Sequence, residues 1–81
     1  MENKIIYLEG DLPNDVKFGD TIAVDTEATG LSMLRDRLCV VQLTDGNGNI
    51  YVVKVESPYN CPNLKSVLAN QNILKIFHKK A

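Results

Sequence analysis

The chain has 81 residues, 44% of them hydrophobic and 23% charged, with nine Lys or Arg against ten Asp or Glu and a net charge of -1. That leaves room for one small domain with a marginal core, and it excludes a disordered or fibrous polypeptide. No apolar run approaches the roughly 20 residues that span a bilayer, and Met1-Glu2-Asn3-Lys4 lacks a secretory-signal pattern, so the sequence predicts no membrane association and a cytoplasmic address.

Lys4-Ile-Ile-Tyr-Leu8 reads as a short first strand, rich in β-branched and aromatic residues, and residues 9–15 supply turn formers. Residues 16–20 have no clear pattern and end in a Gly19-Asp20 turn. A second strand is predicted from Thr21 to about Glu27. Its alternation puts Ile22 and Val24 on one face, and Ala23, Asp25 and Glu27 on the other. Residues 28–36 form a connection. Leu38-Cys-Val-Val-Gln-Leu-Thr44 is a near-continuous apolar run, read as a strand buried on both faces with Gln42 as its one polar interior member. Asp45-Gly-Asn-Gly-Asn49 predicts a hairpin turn, and Ile50-Tyr-Val-Val-Lys-Val55 the returning strand. Pro62 suits the first turn of a helix, whose apolar stripe is Leu64, Val67 and Leu68. Ile73-Leu-Lys-Ile-Phe-His78 then reads as a strand returning parallel to the second one through a right-handed crossover.

Chemistry concentrates at Asp25 and Glu27. Two carboxylates at i and i+2 project together from a rigid strand, which is how a divalent-cation site begins, although surface acids on a half-exposed strand share that geometry. Composition alone yields about 0.3 D-x-E matches in this chain, so spacing needs context. Cys39, inside an apolar strand, reads as a buried free thiol, and neither it nor Cys61 has a C-x-x-C partner or histidines at ligand spacing. The charge is also uneven. Residues 1–53 carry nine acids and four basic residues, and residues 54–81 one acid and five lysines. A basic tail can steer toward a phosphate backbone, but such a distribution is more often only a solvated face.

In context, residues 22–31 (IAVDTEATGL), residues 37–43 (RLCVVQL), and the helix at Pro62 leading to Ile73–His78 resemble the DEDD 3′-to-5′ exonucleases, in their ribonuclease-D-like branch. The resemblance implies an α/β chain holding the N-terminal half of a ribonuclease-H-like fold: a mixed sheet with a β-β-β-α-β core preceded by a short strand, residues 1–81 forming a partial exonuclease domain. Counting from the Asp25 strand, the expected strand order is 3-2-1-4, with one helix on one face and the other face left open. It implies that Asp25 and Glu27 are the first acidic motif, catalytic and metal-holding, with Mg²⁺ or Mn²⁺ as cofactor. Ala28, Thr29, Gly30 and Leu31 are implied to pack against the terminal nucleotide of an RNA or single-stranded DNA 3′ end, RNA being favoured. The implied reaction is hydrolysis of the last phosphodiester by two metal ions. His78 is implied to be structural.

The second and third acidic motifs of that family have no counterpart here. Two ions about 3.5–4 Å apart need several carboxylates, so two leave the site undercharged, and the isolated chain is expected to bind at most one ion, weakly, and not to turn over. Asp45 is expected about five residues, roughly 16 Å, from any position opposite Asp25. Asp36 sits in the connection, and Arg35 and Arg37 beside it are candidates for phosphate contact or a solvated rim. Tyr51 and Phe77 read as core or sheet-face residues before base-stacking ones, and Tyr59 shares the stacking alternative. Lys79-Lys80-Ala81 departs from the family continuation and is expected to reflect a frameshift or early stop. The open sheet face is expected to drive self-association or to need a complementing chain. A non-catalytic remnant or small binding module is the other functional expectation.

Overall fold

A computed structural model describes residues 4–28, 38–56, 58 and 60–79, with backbone alone at Glu27, Ala28, Leu38, His78 and Lys79. The strands are β1 (Lys4–Glu9), β2 (Thr21–Ala28), β3 (Leu38–Thr44), β4 (Asn49–Glu56) and β5 (Leu74–Lys79), with helix α1 (Pro62–Ala69) between β4 and β5. They form one mixed sheet in the order β1-β4-β3-β2-β5. β2, β3 and β4 pair antiparallel, β5 lies parallel to β2, and β1 lies parallel to β4. The four-strand order expected from the sequence is therefore present, and β1 extends it at the β4 edge.

Local chemistry explains the elements. Gly46 and Gly48 take φ of 85° and 104°, values that L side chains resist, and so close the β3–β4 hairpin. The Thr44 hydroxyl donates to the Asn49 carbonyl across its base. α1 opens on Pro62, and the Asn70 N–H donates to the Val67 carbonyl at its end.

Helix and sheet enclose one core on one side of the sheet. Ile22, Val24, Val41, Leu43, Val53 and Val55 face α1 through Leu64, with Leu12 and Cys61 closing the ends; all are buried. Phe18 and Tyr51 meet edge to face beside it, with ring centroids 5.6 Å apart. Tyr51 is thus a packing residue. Phe77 lies in register with Val24 on the edge strand but is 63% exposed, so it is a sheet-face residue outside the core.

Two expectations fail: Cys39 is half-buried instead of buried, and the second concerns β3. β3 is buried on one face only, because Val41 and Leu43 are buried while Gln42 between them is exposed and Val40 is half-buried. The run of apolar residues is continuous, but no described element packs on its second side. That second side is a broad open face on which Ile5, Tyr7, Leu74 and Ile76 are 53%, 76%, 64% and 55% exposed. Among the described residues, no helix is long and apolar enough to cross a membrane.

Candidate functional site

The side chain of Asp25 emerges on the open face near the end of β2. Its neighbours Val24 and Ile22 are fully buried, so the alternation of the strand anchors the backbone from below and directs the carboxylate away from the core. Across the sheet Asp25 is in register with Gln42 of β3 on one side and with the backbone of His78 of β5 on the other. Ala23, Asp25, Gln42 and Thr44 line a shallow depression of about 290 Å³. Glu27 occupies the i+2 position of the same strand, opposite Val40.

Asp25 is half-buried, and its Oδ1 is buried without any hydrogen-bond partner. A buried polar atom left unpaired costs roughly 1–3 kcal/mol, and a carboxylate is among the costlier groups to strand. Such an oxygen, at the rim of an open depression, fits a hard divalent cation, which takes oxygen ligands. Among the described side chains Asp25 is the carboxylate that lines this depression, and the side chain of Glu27, two residues on, lies outside the described residues. Among the described residues, no group of three His, Cys, Asp or Glu side chains comes together.

Asp45 does not join it, though for a different reason than strand length suggests. The register places Asp45 three residues beyond Gln42, roughly 10 Å along the strand instead of 16 Å. Its carboxylate is already engaged: Oδ2 accepts the Gly19 N–H at 2.9 Å, and Oδ1 accepts the Asn47 N–H at 3.0 Å. Burial pushes the Asp45 carboxyl up, but these bonds, with one from the Asn47 side chain and one from its own backbone, together hold it below the usual value. Asp45 ties the hairpin to the loop before β2. Thr29, Gly30, Leu31, Arg35, Asp36, Arg37 and Tyr59 lie outside the described residues, as do the side chains of Ala28 and His78.

A residue that sequence reasoning passed over holds the helix in place. Asp11, read only as a turn former, accepts the N–H groups of Leu64 (2.8 Å) and Asn63 (2.9 Å) at the start of α1, and that of Leu12 (2.8 Å). The Asn63 side chain donates to the Leu12 carbonyl at 2.8 Å. The clue was present: Cys61 at the N-cap caps nothing with its side chain and the first turn contains no acid, so the exposed helix amides need an acceptor from elsewhere.

A family model for 3′-5′ exonucleases matches residues 8–80. The chain belongs to the 3′-5′ exonuclease family. Solved structures agree. The chain is 43% identical to Brucella melitensis NrnC bound to pGG, with a TM-score of 0.77, over 95% of this chain and 39% of that one. It is 44% identical to Brucella melitensis NrnC with bound Mg²⁺, with a TM-score of 0.76, over 96% and 39%. A third NrnC structure gives 44% identity and a TM-score of 0.76 over 96% and 38%. The chain thus spans about two fifths of the length of these relatives. A search of curated proteins returns no match. The five-stranded mixed sheet with one helix is an α/β arrangement consistent with the ribonuclease-H-like fold of DEDD exonucleases.

Proposed function

We propose that residues 1–81 are part of a 3′-to-5′ exonuclease domain and carry the first acidic motif of its site, Asp25 and Glu27. The observation that carries this is the buried, unpartnered Oδ1 of Asp25 on the open face of a sheet belonging to this family. Asp25 and Glu27 would hold Mg²⁺ or Mn²⁺, and a relative with bound Mg²⁺ supports that choice. When bound, such an ion polarises a phosphodiester and activates water. The chain itself supplies a rigid strand that fixes Asp25, an open depression beside it, and in Ala28, Thr29, Gly30 and Leu31 a segment to pack against the terminal nucleotide. A nucleic-acid 3′ end, RNA before single-stranded DNA, is the substrate this reading favours, with the relative bound to pGG in support.

With two carboxylates the chain alone holds at most one ion, weakly, and does not turn over; further carboxylates would come from additional polypeptide or a complementing chain. Self-association through the open apolar face belongs to the same reading. Cys39 and Cys61 are free thiols, which suits the cytoplasm. The test is digestion of 3′-labelled RNA and single-stranded DNA with Mn²⁺ by this chain and by Asp25→Ala. The expected result is no Asp25-dependent shortening; shortening by the unmodified chain that the substitution abolishes would show a complete site.

A further inference from the structure

The neighbour of Asp25 on β3 is the least expected residue of its strand. Gln42 interrupts an apolar run, and replacing it by a hydrophobic residue would leave the fold's core untouched, since its side chain is exposed between buried Val41 and Leu43. It is in register with Asp25 in an antiparallel pair, so the two side chains leave the sheet on the same face with Cβ atoms about 5 Å apart. Both line the same depression. Neither makes a side-chain hydrogen bond among the described residues, and Oδ1 of Asp25 is buried as well as unpaired.

A glutamine is longer than an aspartate by one methylene, so its amide oxygen reaches past the carboxylate to the space where a cation held by Asp25 would sit. A neutral amide adds an oxygen ligand without adding charge, and divalent cations take amide carbonyls among their ligands. Resting on the exonuclease reading above, we infer that Gln42 is a cation-positioning residue: its Oε1 completes the ligand shell of the ion at Asp25, directly or through a bound water. The role explains why a polar residue stands on the open side of β3 immediately opposite the carboxylate.

The experiment is Mn²⁺ binding to the full chain, followed by the loss of the free-ion electron paramagnetic resonance signal and by calorimetry. It compares the unmodified chain with Asp25→Ala, Gln42→Leu and Gln42→Glu, all first checked for an unchanged circular dichroism spectrum. Outer ligands are commonly worth 10–100-fold in metal affinity, so Gln42→Leu should weaken binding about 10-fold. Gln42→Glu places a third carboxylate at the ion and should tighten binding by about the same factor. Asp25→Ala should abolish it. If Asp25→Ala abolishes binding while both Gln42 variants match the unmodified chain, the inference about Gln42 fails and the exonuclease reading stands. Binding that survives Asp25→Ala, or no binding by the unmodified chain at millimolar Mn²⁺, overturns the cation site at Asp25 and with it the inference about Gln42.

Discussion

Asp11 offers a direct test of how the domain is held together. Its carboxylate accepts the Asn63 and Leu64 N–H groups at the open end of α1 at 2.9 and 2.8 Å, linking the loop after β1 to a helix more than fifty residues later. Asp11→Ala removes both acceptors and the local bond to Leu12. It also loosens the seat of Leu12, which is 2% exposed. Loss of a helix cap costs about 0.5–2 kcal/mol, and hydrogen bonds to a charged group lie at the upper end, so about 2 kcal/mol is expected here. For a domain of this size that corresponds to a fall in Tm of about 8–16 °C. Thermal and urea unfolding followed by circular dichroism measures it, with exposed Asp15→Ala in the same loop as control. Asp11→Asn, which keeps one acceptor oxygen and loses the charge, should fall between. If Asp11→Ala unfolds like Asp15→Ala, the cap contributes nothing and the loop is held by Leu12 burial alone.

Asp25→Ala should melt higher than the unmodified chain, by roughly 4–8 °C for each kcal/mol recovered from the unpaired oxygen, while losing any Mn²⁺-induced rise in Tm; an equal or lower melt would mean Oδ1 is not stranded. Asp45 has its folded pKa lowered, so its contribution to stability is complete above its ordinary value of about 3.9 and is lost as pH falls through the depressed folded value. Asp45→Asn should therefore flatten the acid limb of the stability profile below about pH 4 and leave its shape above pH 5 unchanged. Leu74→Thr with Ile76→Thr should reduce concentration-dependent association in sedimentation velocity, because these side chains are 64% and 55% exposed on the open face; a monomer at all concentrations before substitution would remove the reason for that prediction.

Most of the strand plan was legible because the sheet writes itself as period-two alternation and glycine turns. Ile22 and Val24 pointing inward, and Gly46 and Gly48 closing the hairpin, need no tertiary information. What alternation cannot encode is register and what lies on the far side of a strand. Hence strand length alone puts Asp45 too far from the level of Asp25, and a continuous apolar run reads as buried on both faces although Gln42 stands in the open. Asp11 was illegible for the same reason: a cap delivered across more than fifty residues leaves no local pattern, only a helix start that lacks its own acceptor. The outward position of Asp25 on its strand is legible from alternation, but the unpaired oxygen and the pairing with Gln42 belong to the packed sheet.

The proposed cation site lies at Asp25. Titrating ¹⁵N-labelled chain with substoichiometric Mn²⁺ tests it most directly, since the paramagnetic ion broadens the amides nearest to it. Val24, Asp25, Thr26, Gln42 and His78, adjacent in the sheet by register, are expected to broaden first, and Asp25→Ala to remove the effect. Broadening centred instead on the Asp45–Asn49 hairpin or on Asp11, and unchanged in Asp25→Ala, would contradict it.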